Sequence, residues 1–208
     1  MRYRVIVLFL FTVAFVRTYS LAQECMHTNL SRQFDYKISA TRKLAGDSTY
    51  YIVKVVLSIY SKKSKKLVQK INIAESNSLY DAFKSCKTVR SYITGYRKNA
   101  DVLDYDYGDL IIADLNFDGK EDFIINGGYS VDAGPTYIFY MQDSPGHFVL
   151  NEVLTDSLAS FPTHINPRQK TLTQIYVSVS GYQVTKTFRY NTQTQKWRLA
   201  KWRKKKLF

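Results

Sequence analysis

Residues 113–128 read Ala-Asp-Leu-Asn-Phe-Asp-Gly-Lys-Glu-Asp-Phe-Ile-Ile-Asn-Gly-Gly. Its positions 114–122 follow the spacing D-x-N-x-D-G-x-x-D, in which polar side chains alternate around a glycine turn. The loop runs directly into the apolar triplet Phe123–Ile125, which is typical of a β-strand. A loop that leads straight into a strand predicts β-structure around it.

The same loop carries oxygen-bearing side chains at the spacing of a calcium site. Side chains at its first, third and fifth positions can turn inward, and Gly119 at the sixth allows the sharp turn. The carbonyl of the seventh position and the side chain of the ninth complete the first part of the EF-hand scheme. Oxygen donors without His or Cys favour Ca²⁺ over zinc or copper. The predicted metal-binding residues are Asp114, Asn116, Asp118, Lys120 and Asp122.

The twelfth position departs from the EF-hand scheme, because Ile125 stands where a bidentate Glu would be. A full EF-hand with flanking helices is therefore not expected, and an ordinary acidic turn is the alternative interpretation. A regulatory switch needs a bistable helix pair. The expected role of Ca²⁺ is therefore structural: it folds the loop and fixes the strand that follows.

Outward from the loop, the apolar pattern has mostly a period of two. In Thr49–Tyr60 the odd positions from Tyr51 to Ile59 are all apolar, and Leu67–Ile73 completes a predicted hairpin after a lysine-rich turn. One short helix is predicted over Ser78–Lys84. The expected fold class is all-β, mainly antiparallel, in degenerate propeller-like or meander sheets with at most one short helix. The C-terminal meander is predicted to consist of Leu172–Val179, Tyr182–Tyr190 and Lys196–Arg203.

The first 22 residues predict an export signal. Two arginines precede the run Val5–Val16, which holds no charge. This run is too short to cross a bilayer, which takes about 20 residues, and Ser20-Leu21-Ala22 presents small residues at the positions that a signal peptidase reads. We therefore expect a signal peptide over 1–22, a single domain over 23–208, and a periplasmic or extracellular location without a transmembrane span. A short buried helix or a membrane anchor is the alternative.

Two cysteines, Cys25 and Cys86, remain after such a cleavage. In an oxidising compartment an even pair is most simply a disulfide. His27 lies two residues from Cys25, but no other sign of a catalytic thiol accompanies it. We expect the structural disulfide, which would tie the new N-terminus to the body of the protein.

The chain is basic, with 30 Lys and Arg against 17 Asp and Glu and a formal net charge of +13. In the cytosol this surplus would suggest nucleic acid, but an exported protein meets wall polymers, lipopolysaccharide or acidic proteins instead. No nucleic-acid partner is therefore expected. Residues 101–132 nevertheless hold nine acids and one lysine. Residues 203–208 are expected to form a basic, solvated tail attracted to an anionic membrane or an acidic partner.

The succession from the loop onward resembles a known group of proteins. After Asp114–Asp122 come a glycine-containing turn, the aromatic strand Gly134–Tyr140 and the segment Gly146-His147-Phe148-Val149. This pattern is similar to periplasmic immunity proteins that inhibit peptidoglycan-degrading effectors of type IV secretion systems. The resemblance implies a degenerate propeller-like β-fold related to periplasmic lysozyme inhibitors. The loop alone also looks like the calcium loop of FG-GAP (integrin-type) repeats.

Three functions are compatible with these features. The first is a non-catalytic inhibitor of a peptidoglycan hydrolase, with the glycine-rich segment 126–134 plugging the cleft of the enzyme. The second is a glycan- or cell-surface-binding module, because the chain is rich in tyrosine and phenylalanine. Catalysis is not expected, since no nucleophile–base set is recognisable. The predicted partner-binding residues are Tyr129, Asp132 and Gly134, although a plain connecting loop is the alternative for this segment.

Overall fold

The computed structural model describes residues 20–44, 50–73, 82–130, 134–158 and 160–207. These residues form three β-sheets that follow one another along the chain, with one short helix between the second and the third. Hydrogen-bonded neighbours in each sheet are consecutive in sequence, and all strand pairs except one are antiparallel. The prediction of an all-β fold with mainly antiparallel meanders and at most one short helix is confirmed.

The first sheet contains the hairpin that the alternating pattern predicts. Val55, Leu57 and Ile59 are fully buried on one face of this hairpin. A register shift against the preceding strand changes the phase of the alternation, so that Ile52 is buried as well. The strands of this sheet are β1 (Ser20–His27), β2 (Phe34–Leu44), β3 (Tyr50–Ser61) and β4 (Leu67–Ile73).

The middle sheet is covered on both faces. Its strands are β5 (Val89–Ser91), β6 (Leu110–Ala113), β7 (Asp122–Ser130), β8 (Gly134–Ser144) and β9 (His147–Leu150), with β5 parallel to β6. Leu110 and Ile112 belong to a core shared with the first sheet, whereas Ile111 and Ala113 belong to a second core. Burial on both faces explains why β6 and the start of β7 are continuously apolar rather than alternating.

The third sheet closes the second core from the other side. Leu172, Phe188 and Trp197 pack there with Phe139 of the middle sheet. The helix α1 (Glu152–Ser157) precedes this sheet, and the Asn151 side chain caps it by accepting a hydrogen bond from the Leu154 N–H at 3.0 Å. The strands of the third sheet are β10 (His164–Asn166), β11 (Thr171–Val177), β12 (Tyr182–Asn191) and β13 (Lys196–Lys206).

Two local predictions need correction. Of the helix predicted over Ser78–Lys84, residues 78–81 lie outside the described part and residues 82–84 form turns and a bend, whereas the helix of the described residues is Glu152–Ser157. The basic segment from Arg203 is not a free tail, because β13 continues to Lys206 and pairs with the start of β12. The side chains of this segment are nevertheless exposed. Lysine-rich strands are common at sheet edges, where the charges discourage pairing with other chains.

The predicted signal peptide falls almost entirely outside the described residues, since the description begins at Ser20. Residues 20–22 are the first of β1 and pair with residues 41–43 of β2. Cleavage after Ala22 would leave residues 23–27 of this strand. No helix in the described part of the chain is long and apolar enough to span a membrane.

The predicted disulfide is present between Cys25 and Cys86. It joins β1 to the turn that precedes β5, across a sequence separation of 61 residues and a Cα–Cα distance of 5.4 Å. The bridge therefore links the first sheet to the middle sheet covalently.

Removing this bridge is expected to destabilise the protein. Closing a loop of this length lowers the conformational entropy of the unfolded chain, which stabilises the folded protein by about 4 kcal/mol. The Cys25→Ser/Cys86→Ser variant should therefore melt about 10 °C lower than the oxidised protein. Thermal unfolding followed by circular dichroism measures the difference. Reductant should lower the melting temperature of the parent to that of the variant and leave the variant unchanged; equal melting of the oxidised parent and the variant would contradict the prediction.

Candidate functional site

The loop at residues 114–121 connects β6 to β7, and buried strands hold both of its ends. Gly119 has a φ of 83° and Phe117 a φ of 61°, so both residues adopt the left-handed conformation that folds the loop back on itself. The ring of Phe117 packs against Trp197 of β13, with ring centroids 6.3 Å apart. The loop is therefore anchored to the third sheet as well as to its own strands.

The first three predicted ligands lie together inside the loop. Asp114 Oδ1 and Asn116 Oδ1 both accept from the Asp118 N–H, at 3.1 and 3.2 Å, and Asp114 Oδ2 accepts from the Gly119 N–H at 3.0 Å. The Asn116 amide donates to Asp118 Oδ2 at 3.2 Å. Partial burial raises the pKa of Asp114. Three oxygen-bearing side chains thus converge on one short turn.

Asp122 holds the loop from beneath. Its side chain is fully buried. Oδ2 accepts from the Leu115 N–H at 2.8 Å and the Asn116 N–H at 3.4 Å, while Oδ1 accepts from the Gln142 N–H of β8 at 3.0 Å. Burial raises the pKa of Asp122 to about 7 against these three N–H donors, which lower it. One carboxylate therefore joins the loop, β7 and β8.

The two residues before Asp122 extend these connections. The Glu121 carboxylate accepts from the Ser31 hydroxyl and from the Arg32 N–H at 2.9 Å, so the loop is tied to the turn that precedes β2. Lys120 Nζ lies 3.5 Å from Asp118 Oδ2 and donates to the Asp143 carbonyl at 2.9 Å. The loop therefore contacts all three sheets.

The donor chemistry of the loop suits a hard cation, because its inward groups are carboxylate and amide oxygens. Among the described residues, no three His, Cys, Asp or Glu side chains are grouped closely enough to hold a metal by themselves. A cation here would need the amide oxygen of Asn116 and the carbonyl of Lys120 in addition to the carboxylates of Asp114 and Asp118. Calcium binding by this loop stays a prediction.

Tyr129 lies at the other end of β7 and marks the rim of a cleft of about 690 Å³. Its side chain is 62% exposed. Gly134, at the start of β8, has a φ of 76°, and a Cβ there would come within 3.1 Å of the Asp104 carbonyl. The backbone of the segment 103–106 therefore approaches the Tyr129 end of the sheet closely. Asp132 lies outside the described residues.

The cleft has a second apolar group on its rim. Leu103 is 76% exposed at the start of a tight turn, which the Asp106 N–H closes by donating to the Leu103 carbonyl at 2.8 Å. Around it stand the exposed carboxylates of Asp101, Asp104 and Asp106, while Lys87 and Arg97 also line the cleft. With the buried Arg90, the cleft is lined by three carboxylates and three basic side chains, and two exposed apolar side chains stand on its rim.

A buried arginine fixes the wall of this cleft. Arg90 is 5% exposed, and its guanidinium donates to the carbonyls of Tyr107, Lys98 and Ala100 at 3.1, 3.0 and 3.2 Å. Because these bonds bind the guanidinium to backbone, Arg90 holds the irregular segment 97–107 in place. The rim stands on a rigid support despite having little regular structure.

The loop and the Tyr129 rim are separate sites. Asp122 and Tyr129 are seven residues apart along β7, which corresponds to about 20 Å at the rise of a β-strand. A cation in the loop would stabilise the strand that carries Tyr129 but would not touch a partner bound at the rim. The loop and the rim are therefore connected mechanically, through β7.

Sequence reasoning missed Glu121, Leu103 and Arg90. Glu121 occupies a position that the calcium spacing leaves free, and its partners Ser31 and Arg32 are about 90 residues distant in the chain. Leu103 and Arg90 lie in or beside an irregular segment without periodicity. The two aspartates at 104 and 106 were the available signal, since their crowding predicts solvent exposure.

The fold and the site together define an all-β protein of three successive sheets with an oxygen-lined loop and a cleft whose rim carries three exposed carboxylates. No family model matches the chain, and no curated protein matches it. A solved structure described as that of a Xanthomonas type IV secretion system related protein has a similar fold, with a TM-score of 0.51 and 14% sequence identity. The alignment covers 91% of this chain and 88% of that one. At this identity the similarity concerns the fold alone.

The buried carboxylate of Asp122 provides a direct test of how the loop is held. Asp122→Ala leaves three backbone N–H groups without their acceptor, two of them in the loop and one in β8, and should lower the free energy of unfolding by about 3–5 kcal/mol in the presence of chelator. Asp118→Asn is the matched control, because Asp118 is exposed and its loss should cost less than about 1 kcal/mol. Urea denaturation measures both, and equal costs would contradict the assignment.

Proposed function

We propose that this protein is an exported, calcium-binding and non-catalytic binding protein that inhibits a peptidoglycan hydrolase. The observation that carries the proposal is the rim formed by Tyr129 and Leu103 beside the cleft. Exposed aromatic and aliphatic side chains on a rigid support are typical anchors of a protein–protein interface. Tyr129 lies on β7, in a sheet that is buried on both faces, and Leu103 lies in the segment 97–107 that Arg90 holds, so both anchors lose little conformational freedom on binding.

The charge of the rim supports a hydrolase as the partner. Enzymes that act on an anionic wall polymer gain from a positive surface around the substrate cleft, because it attracts the substrate. The carboxylates of Asp101, Asp104 and Asp106 would complement such a surface and steer association. Tyr129 and Leu103 would then enter the cleft itself.

The setting is consistent with export. The Cys25–Cys86 disulfide favours an oxidising compartment. The protein of similar fold is described as type IV secretion system related, which is the setting of the immunity proteins that the loop sequence resembles. Both observations support a role outside the cytosol in contact with a secreted enzyme.

The placement of the histidines supports a non-catalytic role. His27, His147 and His164 lie in three different sheets. His27 is buried, and His147 pairs with the exposed carboxylate of Asp143 at 2.7 Å. In the described part of the chain, no hydrogen bond joins any of these imidazoles to a Ser, Thr or Cys side chain, as a histidine base would require.

Calcium would act as a structural ion in this proposal. Asp114, Asn116, Asp118 and the Lys120 carbonyl would hold it, with Asp122 fixing the loop from below. When bound, the ion supplies charge neutralisation to crowded carboxylates and no chemistry.

Calcium is expected to raise the melting temperature relative to chelator. A ligand that binds only the folded state at about 100 times its dissociation constant contributes about 2.7 kcal/mol, or roughly 5–10 °C for a chain of this size. Asp114→Asn/Asp118→Asn should abolish the shift, whereas Asp156→Asn, an exposed acid of α1, should retain it. An identical melt with calcium and with chelator would contradict calcium binding.

Hydrolase inhibition is tested by the release of reducing ends from purified peptidoglycan by lysozyme-type muramidases, with and without the protein. We expect inhibition at nanomolar concentrations, and Tyr129→Ala/Leu103→Ala should weaken it at least about tenfold because hot-spot truncations cost 2 kcal/mol or more. Val149→Ala/Val153→Ala, which removes two exposed apolar side chains far from the rim in sequence, is the control.

Two outcomes would contradict the proposal. In the first, a panel of muramidases is not inhibited and no wall hydrolase is recovered by pull-down. In the second, the protein sediments with isolated peptidoglycan through Tyr129 in the absence of any enzyme, which would favour the alternative of a glycan- or surface-binding module.

A further inference from the structure

The third sheet carries a large and uncompensated positive charge. Residues 157–208 contain no Asp or Glu, so all 17 acids of the chain lie before them. The cations of this region are Arg168, Lys170, Lys186, Arg189, Lys196, Arg198, Lys201, Arg203, Lys204, Lys205 and Lys206. None of these forms an ion pair within 4.0 Å in the part of the chain that the structure describes.

The charge is concentrated at one end of the edge strand β13. The pairing of β13 with β12 places Lys201, Arg203 and Lys205 on one face of the sheet, and alternation places Lys204 and Lys206 on the other. Every side chain of β13 except Trp197 is exposed. Cations therefore lie on both faces of the sheet at the tip of the β11–β12 hairpin, where β13 ends beside the turn 178–182, rather than forming a stripe on one face.

Exposed apolar side chains lie at the same end. Val179, in the turn that enters β12, is 72% exposed, and Leu207, after the last residue of β13, is 42% exposed. The two are neighbours, because the Leu207 N–H donates to the carbonyl of Gly181 in that turn at 3.1 Å. Trp202 is 55% exposed a few residues back along β13. We call Val179, Trp202, Leu207 and the cations 203–206 the hairpin tip.

Local contacts hold the tip in this form. Lys204 Nζ lies 4.1 Å from the centroid of the Tyr182 ring, a cation–π contact that holds the side chain against the sheet. The turn is closed by the Ser178 N–H, which donates to the Tyr182 carbonyl at 2.8 Å. Lys186 is directed elsewhere, since its Nζ donates to the Ser157 carbonyl at 2.9 Å behind α1.

We propose that the hairpin tip docks on an anionic phospholipid surface, with Val179 and Leu207 entering the interface and Arg203–Lys206 contacting phosphates. Cations on both faces of the sheet, beside exposed apolar side chains at its end, match a planar anionic surface that this end of the sheet meets head-on. A soluble polyanion would gain nothing from the exposed Val179, Leu207 and Trp202, whereas an interface favours tryptophan and apolar side chains next to basic ones. This inference is independent of hydrolase inhibition.

The test is sedimentation of the full chain, in chelator, with vesicles of phosphatidylcholine alone or with phosphatidylglycerol added. Vesicles of pure phosphatidylcholine measure the part of the binding that comes from the apolar run at residues 5–16 rather than from the cations of the hairpin tip. We expect binding to rise with phosphatidylglycerol, to fall with salt, and to weaken roughly 100-fold in Lys204→Gln/Lys205→Gln/Lys206→Gln. Val179→Ser/Leu207→Ser should weaken it about tenfold.

The matched control is Lys63→Gln/Lys66→Gln/Lys70→Gln, which removes three exposed lysines of the first sheet and changes the net charge equally. If both lysine triples weaken binding to the same extent, the attraction is a property of the net charge and the proposal is wrong. It is also wrong if Val179→Ser/Leu207→Ser has no effect while dextran sulfate competes fully, since the tip would then recognise a soluble polyanion. Melting temperatures show that each variant is folded, and none of these variants should alter hydrolase inhibition.

Discussion

The buried carboxylate of Asp122 is the interaction on which the middle of the molecule depends. It accepts hydrogen bonds from the backbone at Leu115, Asn116 and Gln142, and thereby binds the loop, β7 and β8 into one unit. Buried backbone N–H groups need acceptors, and the turn at 114–121 cannot supply them from a regular ladder. One carboxylate replaces the missing ladder, and its neighbour Glu121 joins the same unit to the first sheet. This pair of adjacent acids therefore ties the loop to both the first and the middle sheet.

Because the middle sheet is covered on both faces, it can hold a functional group in place at each end of β7. β6 and β7 contribute alternate side chains to two cores, so the sheet cannot shift without disrupting both. The loop at one end of β7 and Tyr129 at the other are therefore held in a fixed relation across about 20 Å. Rigidity of this kind lowers the entropic cost of binding at the rim. Through β7, a structural ion bound in the loop would also stabilise the position of Tyr129.

The sequence predicted the features that depend on local spacing. The hairpin of β3 and β4 follows from apolar residues at every second position, the disulfide from cysteine count and compartment, and the convergence of Asp114, Asn116 and Asp118 from the spacing around Gly119. It did not predict the role of Asp122 as acceptor for Gln142, because that contact spans 20 residues and depends on the β7–β8 register. It placed the helix wrongly, since six residues capped by Asn151 are too short for a helical period to be visible. The sequence of the basic segment resembles that of a solvated tail, because all of its side chains are exposed even though its backbone pairs with β12.

Among the described residues, the cations of the third sheet form no ion pair with the carboxylates of the rim. The segment that carries the rim carboxylates contacts the third sheet where the Tyr105 hydroxyl accepts from the Val177 N–H at 3.3 Å. The charged side chains of the two regions are not in contact there. Lys205 pairs with β12, and β11 lies one strand further, so about 10 Å of sheet stands between Lys205 and Val177. The Debye length at physiological ionic strength is about 8 Å, so each surface is largely screened from the other. A partner bound at the rim would therefore be little affected by the cations of the hairpin tip. Equally, a surface bound at the hairpin tip would be little affected by the carboxylates of the rim.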